Sequence, residues 1–156
     1  LSISYSDLIN VYRLYMTLNK EWKHLGLKNI CVLQHNDNQE YLHLPVFMTK
    51  QSIYVKFGLF GGKLETAAGL DLRYNTSYHA DEYLPQLGVF AYQDKEKYGN
   101  YVYCDLFVNA RIDQCNVFLA LTHPYAGLFG YNYIPTPLYP NEGLSFRWGL
   151  SWNFLN

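Results

Sequence analysis

The sequence predicts an all-β chain, a transmembrane antiparallel β-barrel of which about seven strands of a larger meander are present. Three observations predict it. Residues 144–154 read LSFRWGLSWNF, with Leu144, Phe146, Trp148, Leu150, Trp152 and Phe154 on one parity and Ser145, Arg147, Gly149, Ser151 and Asn153 on the other. Side chains alternate across a strand, so this segment has an oily face and a wet face, the pattern of a strand facing lipid. Charged residues make up only 16% of the chain, against a usual figure of about 25%. The 16 Tyr, 9 Phe and 3 Trp are rings of the kind that collect at both membrane surfaces. Finally, the connections alternate between short and long, as the two rims of an outer-membrane barrel do.

The strands follow from alternation and turn residues. Residues 8–22 set Leu8, Tyr12, Leu14, Met16, Leu18 and Trp22 against Arg13, Thr17, Asn19 and Glu21, with Ile9, Val11 and Tyr15 blurring the wet side. Residues 46–60 set Phe47, Ile53, Val55, Phe57 and Leu59 against Lys50, Ser52, Tyr54, Lys56 and Gly58. The cleanest internal strands are 63–79, with Leu64, Thr66, Ala68, Leu70, Leu72 and Tyr74 opposite Lys63, Glu65, Asp71, Arg73, Asn75 and Ser77, and 101–112. In the latter, Val102, Cys104, Leu106, Val108, Ala110 and Ile112 oppose Asp105, Asn109 and Arg111. Segments 28–36 and 116–123 are apolar on both parities, so alternation does not orient them. Tight turns are predicted at 23–27, 61–62 and 113–115, and longer links at 37–45, 80–100 and 124–143. The last strand then ends at the short-turn rim, which predicts a periplasmic C-terminus.

Composition excludes other classes. The net charge of −1 gives no electrostatic footprint for nucleic acid. The longest unbroken apolar run, 117–121, is far below the ~20 residues of a membrane helix, so any crossing is made by strands. Cys31, Cys104 and Cys115 are scattered, with no CxxC spacing, and describe neither a disulfide framework nor a zinc site. The chain opens at Leu1 with no export signal in view, so residues 1–156 read as the C-terminal portion of one barrel domain whose N-terminal strands lie outside it. The strand count agrees. Seven strands leave an edge open, and an open edge in lipid leaves backbone groups unpaired.

The polar parity supplies the pore-lining candidates Lys56, Glu65, Asp71, Arg73, Asp105, Asn109, Arg111 and Arg147, since lining charge and radius set what a pore admits. A plainer reading is that Asp71–Arg73 and Asp105–Arg111 only pair with neighbours in a wet interior. The apolar parity supplies lipid-facing residues, among them Phe146, Trp148, Leu150, Trp152 and Phe154. The run His79-Ala80-Asp81-Glu82 holds cation-binding side chains, but adjacent loop positions rarely converge, and no metal site is assigned. His24, His35, His43 and His123 fall near strand ends, as half-polar rings at an interface do. There is no nucleophile elbow around Ser145 or Ser151 and no phosphate loop, so no enzyme activity, catalytic residue or cofactor is expected. The segment 123–143 carries Pro124, Pro135, Pro137 and Pro140 among Tyr125, Phe129, Tyr131, Tyr133 and Tyr139. Its prolines favour a defined shape, either a constriction, an outward-projecting binding loop or a rigid cap.

From about Asn36 onward the chain resembles the C-terminal region of the putative porins of Bacteroidota outer membranes. The resemblance rests on YLHLPVF at 41–47, KFGLF at 56–60, GLDLRYNTSYHADEYLPQLGVFAYQ at 69–93, GNYVYCDLFVNARI at 99–112 and PLYPNEGLSFRWGLSWNF at 137–154. It implies a barrel of about 14 to 18 strands, within the range of even-numbered bacterial barrels, an outer-membrane location and a porin role. It also implies that the final segment, Phe146 to Phe154, is read by the barrel-insertion machinery, although Leu155 and Asn156 follow the aromatic that often ends such signals. The expected partners are therefore the lipid bilayer, that machinery, the remaining N-terminal strands and other subunits of an outer-membrane complex. Two alternatives stay open: a barrel that is mainly a docking or structural subunit of an envelope complex, and a soluble β-barrel binding module.

Overall fold

In the computed structural model, residues 8–126 and 143–154 are described. They form β1 (Val11–Glu21), β2 (Leu25–Asn36), β3 (Phe47–Leu59), β4 (Leu64–Asn75), β5 (Glu82–Leu84), β6 (Val89–Ala91), β7 (Tyr101–Ile112), β8 (Cys115–Thr122) and β9 (Ser145–Trp152). Seven strands make one antiparallel sheet in the order β1-β2-β3-β4-β7-β8-β9, and β5 and β6 form a separate hairpin. Each long strand pairs with the next in sequence, so the sheet is an up-and-down meander. Its edges are β1 and β9.

The seven predicted strands are present; most are trimmed at their ends, 101–112 is unchanged, and β2 and β8 begin earlier than the predicted 28 and 116. The segment predicted at 63–79 stops at Asn75, because the Thr76 N–H turns to the Phe47 carbonyl at 2.9 Å and Tyr78 bridges to Tyr98 instead. The first turn is shorter than 23–27: the Trp22 N–H reaches the Leu25 carbonyl at 2.7 Å, and β2 has already begun. At 60–63 the chain reverses through positive φ at Phe60 (51°), Gly61 (69°) and Gly62 (89°), which only glycine adopts without strain. The long link at 80–100 holds the β5–β6 hairpin, which alternation does not predict. The loop between β8 and β9 lies, from 127 to 142, outside the described residues, and with it the prolines 135, 137 and 140.

Register divides the sheet into two faces. On one, Ile53, Leu70, Leu106 and Leu121 lie in one pairing row across β3, β4, β7 and β8, ending at Phe146 on β9. On the other, Lys28, Ser52, Asp71, Asp105, Thr122 and Ser145 run across β2 to β9. The register also orients the two ambiguous strands: β2 turns Lys28, Ile30, Val32, Gln34 and Asn36 to the polar face, and β8 turns Asn116, Phe118, Ala120 and Thr122 there. Cys104 takes the apolar face, opposite Leu72.

Among the described residues no second layer covers either face. Among the described residues the buried apolar side chains are Tyr54, Ala80 and Tyr101, and none is below 2% exposed. A water-soluble domain of this size would bury a contiguous apolar core. Here the apolar face stays open, with Leu14 55%, Leu106 42% and Trp148 70% exposed.

Candidate functional site: the polar face of the sheet

All eight predicted lining residues sit on the polar face, and the residues predicted to face lipid in β4, β7 and β9 sit on the other. Phe154, two residues beyond β9, stacks on Trp152 with ring centroids 6.0 Å apart and planes 9° from parallel. What alternation misses is how the polar residues are linked across strands.

The most built part of this face is at β1–β3. Tyr54 of β3 lies over Gly26 of β2, directly opposite in register. A Cβ on Gly26 would overlap the Tyr54 ring, and one on Gly69 of β4 would overlap the Tyr54 backbone and Cβ. Gly26 therefore leaves the space in which the ring lies across β2. Its hydroxyl crosses two strand spacings, about 4.8 Å each, and donates to Glu21 Oε1 of β1 at 2.6 Å. Lys56 Nζ holds the other carboxylate oxygen at 2.7 Å. Lys28 and Lys56 each stand 5.6 Å from the Tyr54 ring centroid, within cation–π range. A second ring-on-glycine contact occurs at β8–β9, where a Cβ on Gly149 would strike the Phe118 ring.

In the middle of the sheet like charges stand opposite each other: Lys50 faces Arg73, and one row on Asp71 faces Asp105. Direct like-charge neighbours cost stability. Arg73 relieves part of that by reaching diagonally to Asp105, Nη2 to Oδ2 at 2.6 Å, while the His123 N–H donates to Oδ1 at 3.1 Å. Arg111 pairs with Glu65 on β4. Thus Arg73 and Arg111 both find acids on the neighbouring strand rather than on their own, where Asp71 and Asp105 stood as the plainer partners. For Arg111 the register explains this, since it stands directly opposite Glu65 and directly opposed residues are about 5 Å apart, closer than alternate residues of one extended strand at about 6.6 Å; Arg73 instead spans the diagonal with its long side chain.

Residues toward the long-loop rim tie the loops down. Gln34 accepts from Arg13 Nε at 3.2 Å and donates to the Pro45 carbonyl at 2.8 Å, and Asn36 donates to the Leu42 carbonyl at 2.5 Å. Tyr101 and His123 are both buried, with the phenol oxygen 2.6 Å from Nε2 and the rings of Tyr103 and Tyr125 against the imidazole. Tyr125 also donates to the Val102 carbonyl, and burial pushes its phenol up to about 12. The Tyr98 hydroxyl donates to Glu96 at 2.5 Å, which holds that phenol protonated up to about 12.

The His79–Glu82 run does not converge on a point. His79 packs edge-on against His43, and His43 Nδ1 lies 3.6 Å from Asp81 Oδ1 while Glu82 enters β5. Among the described residues no group of three metal-ligating side chains comes together. His35 is exposed on the apolar face and His24 sits in the first turn, whereas His43 and His123 are packed within the loops. The Ser145 hydroxyl shares a 2.5 Å hydrogen bond with Thr122.

Sheet and faces together define a class: a meandering antiparallel β wall, polar on one side and apolar on the other, with short turns at one rim and long loops at the other. A family model described as putative porin matches residues 4–156, and the chain belongs to that family. Comparison with curated proteins and with solved structures gave no match. Membership points to a porin-like role and to the outer membrane.

Proposed function

We propose that this chain is part of the wall of an outer-membrane channel for small solutes, with the polar face lining the lumen and the apolar face against lipid. One observation carries the reading: register assigns every predicted lining charge to one face and the large apolar residues of β4, β7 and β9 to the other. The exposed rings and aliphatic side chains of that second face have no cover among the described residues, and a hydrocarbon solvent would remove the cost of leaving them open. Catalysis has no part in this reading.

Strand direction supports a longer barrel. Because the seven strands alternate, β1 and β9 run parallel to each other. Closing β9 directly on β1, or alternating copies of this unit in one ring, would create a parallel seam. An odd number of further strands restores antiparallel closure and an even total, as in bacterial barrels. The C-terminal end of β9 lies beside the 113–114 turn, with the Asn153 N–H 3.0 Å from the Gln114 carbonyl. Short turns belong to the periplasmic side of such barrels, which supports a periplasmic C-terminus.

The test is single-channel recording with the full-length protein in planar bilayers. Discrete conductance steps are expected. A folded, membrane-inserted protein with no conductance would overturn the channel in favour of a docking or structural barrel, and a detergent-free folded monomer would favour the soluble module. For the final strand, Trp152→Ala with Phe154→Ala is expected to lower outer-membrane levels in cells more than Leu70→Ala with Leu72→Ala does. Each truncation also removes about 1.5–3 kcal/mol of burial, so unfolding in detergent is compared for both pairs. Equal losses in both assays would mean that β9 is only wall and carries no insertion signal.

A further inference from the structure

Formal charge is not spread evenly between the wall and its rim. Three ion pairs on the polar face cancel internally: Lys56–Glu21, Arg73–Asp105 and Arg111–Glu65. By formal charge that face carries Arg13, Lys28, Lys50, Lys56, Arg73, Arg111 and Arg147 against Glu21, Glu65, Asp71 and Asp105, a surplus of three positive charges on a chain whose net charge is −1. The compensating acids are in the long loops. There Asp37, Glu40, Asp81, Glu82, Asp94 and Glu96 outnumber Lys95 and Lys97. Position decides which sign a solute feels longest. Rim charges stand in bulk solvent, where their fields fade within about 8 Å at physiological salt, whereas charges along a low-dielectric wall act throughout the passage.

Two of the wall cations are free to act on a passing ion. Lys28 and Lys50 are exposed and make no ion pair with a described residue. Lys28 borders a hollow on the polar face lined also by Ser52, Tyr54, Asp71, Phe107 and Asn109. Lys50 stands directly opposite Arg73, a like-charge contact that a wall built for stability alone would avoid.

We infer that this part of the wall draws small anions, with Lys28 and Lys50 as selectivity-setting residues. The inference rests on the channel reading above and adds the sign of the solute. An anion entering from the long-loop rim crosses an acidic belt and then meets ammonium donors with no competing carboxylate bound to them. A cation meets the same two regions with attraction and repulsion exchanged, drawn at the rim and opposed along the wall.

The measurement is the reversal potential of the full-length protein in planar bilayers under a potassium chloride gradient. Chloride is expected to permeate better than potassium. Lys28→Glu with Lys50→Glu should lower the chloride-to-potassium permeability ratio at least about threefold, and Lys28→Gln with Lys50→Gln should lower it less. Lys95→Glu with Lys97→Glu, on the rim, should move it least. The heat-dependent gel shift of a folded barrel checks assembly, and the glutamine pair serves if the glutamate pair does not assemble. Potassium preference in the parent protein, or a ratio that neither wall pair changes, would overturn the anion inference while leaving a channel. No conductance at all would remove the channel reading, and this inference would fall with it.

Discussion

The central strands β4 and β7 and the flanking strands β2 and β8 belong to one sheet but carry their face assignment differently. In β4 and β7 each strand declares its faces alone: mostly aliphatic residues on one parity, and every charged residue of the two strands on the other, where β7 also carries Tyr101, Tyr103 and Phe107. In β2 and β8 the polar face includes Ile30, Val32, Phe118 and Ala120. Those strands are oriented by pairing with their neighbours, since a slip of one residue would turn every side chain to the wrong face. An apolar side chain on the polar face is tolerated when it lies against rings and glycine, as Phe118 does on Gly149. A charge on the apolar face has no such refuge.

The sharpest break of that comparison uses two adjacent residues of β2, Val32 on the polar face and Leu33 on the apolar face. Leu33→Arg is expected to cost about 2–4 kcal/mol near the bilayer midplane and less toward an interface, while Val32→Arg should cost much less. Unfolding of the full-length protein in lipid vesicles measures both. Equal losses would mean that β2 is not oriented as its register states. Leu106→Arg on β7 should match the Leu33 loss at comparable depth.

Next in size is the seat of Tyr54. Gly26→Ala puts a methyl group into the ring, and overpacking of this kind costs about 1–3 kcal/mol. Combining it with Tyr54→Ala should recover part of that loss, because the colliding ring is gone. A fully additive double mutant would show that the ring and the glycine do not share the contact.

The smallest effect lies on the rim. Tyr98 keeps its proton up to about 12 because its hydroxyl bonds to Glu96. A folded-state value above the ordinary 10 means that any stabilisation from this bond is complete below pH 10 and is lost as pH rises through about 12. Tyr98→Phe should remove one late-titrating phenol from the ultraviolet titration of the folded protein. A titration that loses a phenol near 10 instead would contradict the bond.

The sheet was largely legible in the sequence because apolar and polar positions alternate, and Leu64 to Tyr74, Val102 to Ile112 and Leu144 to Phe154 follow that with few exceptions, such as Thr66 and Phe107. The candidate lining residues were legible for the same reason. Lys28 was not, since its strand is apolar on both parities and only pairing with β3 turns it to the polar face. The β5–β6 hairpin escaped because three-residue strands are too short to display a period, although Gly88, at φ 66°, marks its turn. Tyr54 stood on the wet parity with nothing to mark its bridge to Glu21. That bridge depends on Gly26 standing opposite Tyr54 across strands, a relation that linear sequence does not display.

The Tyr54 bridge also has a meaning for strand alignment. Its hydroxyl can meet Glu21 only when β1, β2 and β3 are all docked, and only when the one residue without a side chain on β2 lies beneath the ring. Were β2 displaced by two positions, preserving its faces, Lys28 would come under the ring and hold it off the strand. The Tyr54 bridge is therefore a lock on a three-strand unit, one that fits only over the correct alignment.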